Sequence, residues 1–158
     1  MIHNPSWDQF LAKLSLRNIR FAVIGGYAVN FYGYLRNTED LDIIFLRDEK
    51  SEAGLLEVLQ EFDAFWIGDE IDPKTGLECI YPVTAEYLKS NSLMMLGVSF
   101  GYVDIFDFLP GMPDALIEDC IADAQMGNGV PFVSLDWLKK LKRASNRPKD
   151  QIDLEHLT

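Results

Sequence analysis

The chain has 158 residues, close to the commonest size of one domain, and it is 48% hydrophobic with 10 Phe, 6 Tyr and 3 Trp, enough to bury a proper core. Its 25 acidic and 14 basic residues leave a net charge of −11, which excludes a broad, sequence-independent grip on DNA or RNA, because that grip comes from neutralising phosphates. No apolar run reaches transmembrane length and the first residues lack the basic start and apolar stretch of a secretory signal, so a single domain over 1–158 in the cytoplasm, with no membrane partner, is the expectation.

In chain order, WDQFLAKLSL at 7–16 puts Trp7, Phe10, Leu11 and Leu14 at helical spacing. RFAVIGG at 20–26 reads as a short buried strand running into a glycine turn, and 27–33 as a helix stopped by Gly33. After the loop YLRNT comes the strand EDLDIIFL at 39–46. Residues 51–62 predict a helix capped by Ser51, with Leu55, Leu56 and Leu59 on one face. DPKTG at 72–76 signals a turn between two strand-like pieces. Residues 93–98 and 101–109 read as a hairpin of strands, and 113–124 as a helix with proline in its first turn. VPFV at 130–133 is a short strand, followed by a helix from Leu135 capped by Ser134 and a last helix starting at Pro148. Strands and helices mix throughout, which predicts an α/β (α+β) fold: a mixed β-sheet with flanking helices.

Cys79, Cys120, His3 and His156 show no paired spacing, so a structural zinc site is excluded. Most Ser–His and Cys–His nucleophile schemes go with it, for want of a placed imidazole. The chemistry is left to carboxylates, lysines or metals.

The strand at 39–46 carries the strongest signal. Alternation sets Asp40, Asp42, Ile44 and Leu46 on one face and Leu41, Ile43 and Phe45 on the other. One face thus opens on two carboxylates and closes on two aliphatics, as a strand does when one end lies in a cleft. Two like charges so close raise each other's pKa unless a cation sits between them, and a hard ion such as Mg²⁺ suits carboxylate, water and phosphate oxygens. Alone, a D-x-D pair fits an exposed strand end better than a metal site. Gly25 and Gly26 add a second element, because a strand–Gly–Gly–helix junction lets backbone amides approach an anion. The patterns of a P-loop and of a dinucleotide fold are absent.

These motifs, G-G-Y-A-V and then R-N-T-E-D-L-D-I, resemble the signature of polymerase β-like nucleotidyltransferases. Arg36, Thr38, Asp40 and Asp42, spaced R-x-T-x-D-x-D, are similar to the small prokaryotic branch with abortive-infection and toxin–antitoxin members. The ending, a lysine-rich helix, R-P-K-D and an acidic last helix, is similar too. The resemblance implies Mg²⁺, one or two ions, held by Asp40, Asp42 and a third carboxylate on a neighbouring strand. It implies a nucleoside triphosphate as donor, a hydroxyl acceptor that is an RNA end, a protein side chain or a small molecule, and a toxin–antitoxin partner. GYVDIFDF offers Asp104 or Asp107 as the third acid; position alone does not choose, and the resemblance favours Asp104. Gly25, Gly26, Arg36 and Thr38 are expected beside the phosphates.

Residues 139–149 hold six basic side chains and no acid. Lys142 continues the apolar stripe of Leu135 and Leu138, so its stem is expected to cross apolar surface and present its ammonium to the cleft as a phosphate contact. Lys139, Lys140 and Arg143 are read as a solvated face. Arg147, Lys149, Asp150 and Asp153 are expected either to serve the site or to tie the last helix down by ion pairs. The competing classes are a non-catalytic nucleotide-binding or partner-neutralising module of the same fold, and a metal-dependent hydrolase.

Overall fold

The computed structural model describes residues 6–157, and His3 lies outside them. The strand β1 (Phe21–Ile24) is buried along its whole length, as FAVI between two layers of helices should be. It pairs antiparallel with β2 (Asp40–Phe45), which pairs parallel with β6 (Gly101–Phe106). The hairpins β3 (Phe65–Ile71) with β4 (Glu78–Pro82), and β5 (Leu93–Val98) with β6, extend one side. On the other side β7 (Gln125–Gly127) and β8 (Val130–Phe132) form a third hairpin, with β8 parallel to β1. The result is one mixed eight-stranded sheet in the order β4-β3-β5-β6-β2-β1-β8-β7.

Helices cover the sheet unequally. α1 (Trp7–Leu16), α3 (Glu49–Glu61) and α4 (Ala85–Ser90) close one face, where Phe10, Leu14 and Leu55 meet Leu41, Ile43 and Phe45. On the other face α2 (Gly25–Phe31), α5 (Ile117–Ala122) and α6 (Leu135–Ser145) bury Ala28, Cys120 and Leu138 against Ala22, Ile24 and Ile44. α7 (Pro148–His156) turns back after Asn146, whose left-handed φ of 49° ends α6. Ser134 caps α6 by accepting from the Trp137 amide at 3.2 Å.

Several boundaries differ from those read in the sequence. α2 starts at Gly25, so both glycines belong to its first turn. The cap of α3 is Asp48, which accepts from the Ser51 amide, while Ser51 itself is buried and accepts from the Arg20 amide. The helix expected at 113–124 shortens to α5 because backbone turns at Met112 and Ala115 tuck those residues onto the core first. α4 and β7 were not foreseen. No helix among the described residues is long and apolar enough to cross a membrane.

Candidate active site

The acids gather because the pairing of β2 brings them together. In the parallel β2–β6 ladder Asp42 stands opposite Asp104 and Asp40 opposite Tyr102. Cross-strand partners point to the same face, so all three carboxylates leave the sheet on the side away from Leu41, Ile43 and Phe45. The antiparallel β1–β2 ladder sets Ile24 opposite Asp42, which delivers Gly25 to the Asp42 carboxylate. Gly25 has φ +68°, and a methyl there would collide with that carboxylate. A methyl on Gly26 would lie 2.8 Å from Thr38 Cβ and 3.3 Å from Arg36 Nη1. The Gly–Gly turn and the R-x-T-x-D-x-D loop are therefore one packed unit. No side chain caps α2, which leaves its first-turn amides facing the cleft.

Cations form the opposite wall. Arg36 donates from Nε and Nη2 to the two oxygens of Asp153, at 2.7 and 2.9 Å. The Lys142 ammonium donates to Asp150 Oδ1 at 3.0 Å and pairs with Asp153 Oδ2 at 2.9 Å. Arg147 donates from Nε to Asp150 Oδ2 at 2.9 Å. Asp150 and Asp153 are fully buried. Burial alone would raise both pKa values, but hydrogen bonds outweigh it. Those from Arg147, Ser145 and Lys142 hold Asp150 well below the usual carboxylate range, and those from Arg36 and Lys142 lower Asp153. Between the two walls lies a cleft of about 590 Å³.

The acidic wall behaves in the opposite way. Burial, then repulsion by Asp104 and Asp40, pushes Asp42 up to about 6, against partial relief from Lys142 and Lys149. Burial, then repulsion by Asp40, raises Asp104, against partial relief from Asp42. The two groups face each other across the ladder. Among the described residues no three His, Cys, Asp or Glu side chains are drawn into a metal-binding cluster. Asp42 and Asp104 meet, and Asp40 stands exposed at the mouth. That donor set suits Mg²⁺, which takes one or two carboxylates and completes its shell with water and phosphate oxygens. A cation there would offset the repulsion between the two carboxylates.

Asp40, Asp42, Asp104, Gly25, Gly26, Arg36, Thr38 and Lys142 all line this one cleft. Asp107 lies elsewhere, bound by Arg47 Nε at 2.8 Å. Lys142 is turned inward as its stripe implied, but two of its three donors are taken by carboxylates rather than left for a ligand. Lys140 pairs with Asp136 and lies over the Trp137 ring, on the solvent side. Arg147 and Lys149 join the cleft lining, which R-P-K-D hinted at without saying which way its side chains turn.

No protein-family model and no curated protein matches this sequence. Solved structures do. ANT(2'')-Ia in complex with adenylyl-2''-tobramycin is similar at 15% identity and a TM-score of 0.53, over 96% of this chain and 84% of that chain. The solution structure of the antibiotic-resistance factor ANT(2'')-Ia is similar at 15% identity and 0.53, over 96% and 79%. What is shared is the fold. The mixed sheet and flanking helices expected from the sequence are present, and they are the fold shared with the ANT(2'')-Ia structures.

Proposed function

We propose that the protein transfers a nucleoside monophosphate from a nucleoside triphosphate to a hydroxyl acceptor, with Mg²⁺ as cofactor. One observation carries the reading: a single cleft has paired carboxylates on one wall and guanidinium and ammonium groups on the other, with the uncapped start of α2 between them. A metal–polyphosphate has the matching charge pattern. The fold shared with ANT(2'')-Ia, whose complex holds an adenylylated tobramycin, supports transfer as the reaction class.

Asp42 and Asp104, with Asp40 at the mouth, would hold the metal, which would supply charge neutralisation on the phosphates. The first-turn amides at Gly25 and Gly26 orient the β and γ phosphates, and Thr38 packs that turn in place. Arg36, Lys142 and Lys149 offset charge on the leaving pyrophosphate. Asp104, which lines the cleft opposite Asp42 in the ladder, accepts the proton of the acceptor hydroxyl. A role beside a toxin–antitoxin partner rests on the sequence motifs alone.

The test is incubation with Mg²⁺ and each α-labelled triphosphate, comparing wild type with Asp42→Asn. Pyrophosphate release that falls at least about a hundredfold in the variant supports transfer. Binding without turnover favours the non-catalytic module, orthophosphate release favours the hydrolase, and an Asp42→Asn protein of full activity sinks the mechanism.

A further inference from the structure

The sheet face that carries the carboxylates is covered over only part of its width. Side chains of β1, β2 and β8 on that face pack under α2, α5 and α6, but β3, β4 and β5 contribute none to that core. The pairing register continues outward from the acids. Asp104 stands opposite Met95, and Tyr102, beside Asp40, stands opposite Gly97, which in turn faces Phe65. Ile67 and Ile80 are partners further out and, two residues along from Phe65 and Pro82, point the same way. Met95 is 65% exposed, Tyr102 53%, Ile67 45% and Ile80 59%. On the reverse of the same strands Met94, Leu96, Val103 and Ile105 are buried. A bare apolar shelf thus runs from the carboxylates to the sheet edge, roughly 14 Å at the usual strand spacing.

Its charge is one-sided. β3, β4, β5 and β6 hold not one Lys or Arg; Glu78, two residues from Ile80, and Asp104 stand on this face, while Glu70 accepts from the Tyr81 hydroxyl on the reverse. Lys74 sits in the turn joining β3 to β4. The cations of the cleft lie across it, on α6, α7 and the 34–38 loop. Exposed apolar surface of this extent beside a site marks a docking surface.

We infer that this shelf is the acceptor platform of the proposed transferase, and that its occupant is a basic polypeptide segment presenting a Ser, Thr or Tyr hydroxyl. The inference rests on the transfer reading for its chemistry and on the shelf for its occupant. Apolar side chains of such a segment cover Met95, Ile67 and Ile80, and its Lys or Arg residues meet the surrounding acids. An RNA end would bring phosphates to a surface with acids and no cation, an amino sugar has little apolar area to cover the shelf, and a second copy would bring up another chain of net charge −11. In the reaction the acceptor oxygen bonds to the α-phosphorus, the bond from that phosphorus to the bridging oxygen breaks, pyrophosphate leaves, and the hydroxyl proton passes to Asp104.

The test uses the whole chain and separates docking from chemistry. A fluorescent peptide alternating Lys and Leu around one Ser is titrated against wild type and Met95→Lys/Ile80→Lys, alongside its Glu-for-Lys counterpart, an RNA oligonucleotide and tobramycin. A fluorescent triphosphate reports the cleft in parallel. The basic peptide is expected to bind wild type, to lose at least about tenfold in affinity in the double variant, and to take up label from an α-labelled triphosphate. Binding of the basic peptide no tighter than the acidic one overturns the proposal. So does affinity the double variant leaves unchanged, RNA or tobramycin as the ligand the variant expels, or a wild-type dimer that the variant dissociates. Loss of triphosphate binding with peptide docking intact would count against the transfer reading alone.

Discussion

Asp42 is held in conflict by its neighbours: it is largely buried, it faces Asp104 across a ladder, and its carboxylate fills the space a side chain at position 25 would need. Its pKa rises from 3.8 to about 6. The folded protein therefore binds this proton more tightly than the unfolded chain does, and the contribution of Asp42 to stability falls as pH rises from about 4 to about 6 and then levels. The shift amounts to roughly 3 kcal/mol at 1.36 kcal/mol per unit. In metal-free protein, Asp42→Asn is expected to be more stable than wild type above pH 7 by about 1–3 kcal/mol, in urea titrations run at two pH values. Gly25→Ala is a second residue-scale change. It meets a left-handed φ and the Asp42 carboxylate together, so a loss of about 1–3 kcal/mol in stability and a larger proportional loss of turnover are expected. D-x-D and Gly–Gly were legible because each is a local pattern. The partners of Lys142 were not: Asp150 lies eight positions on, about two turns away along a continuous helix, and reaches Lys142 because the chain reverses at Asn146.

α7 shows how an element can hold a site it barely enters. Its two buried acids join the 34–38 loop, through Arg36, to α6, through Lys142. Removing one acid leaves buried cations short of a partner, so Asp153→Asn is expected to cost about 3–5 kcal/mol, read from the urea midpoint. A glutamate there should recover part of that stability but less of the activity, because the two-pronged contact with Arg36 depends on reach. These acids titrate opposite to Asp42: their pKa values are lowered, so their contribution is present above about pH 4 and is lost as pH falls through the folded values. The long elements were readable from periodicity and caps, as Ser134 and Trp7–Leu16 illustrate. α4, with six residues, and β7, with three, are too short to develop a period, and packing on neighbours makes them.

At the scale of the molecule, charge is sorted by place. Acids end the central strands and surround the open half of the sheet, while the cleft's cations collect on the α6–α7 side. A divalent ion should relieve the acidic wall, so millimolar Mg²⁺ is expected to raise Tm, with a gain near 2.7 kcal/mol at a hundred times Kd. The gain should be larger at pH 8 than at pH 5, where Asp42 is protonated, and should vanish in Asp42→Asn or on adding a chelator. Sequence alone implied a mixed sheet but not its order, since parallel β2–β6 pairing joins strands that lie far apart in the chain.

The anchoring of Arg36 and Lys142 by Asp150 and Asp153 also governs when the site comes into being during synthesis. A nascent chain paused before residue 148 already has its glycine turn and all its central strands, yet two of its cleft cations still lack their anchors. Cutting the chain before residue 148 is therefore expected to weaken binding of the triphosphate of the proposed reaction, read by titrating a fluorescent triphosphate against the cut and uncut chains.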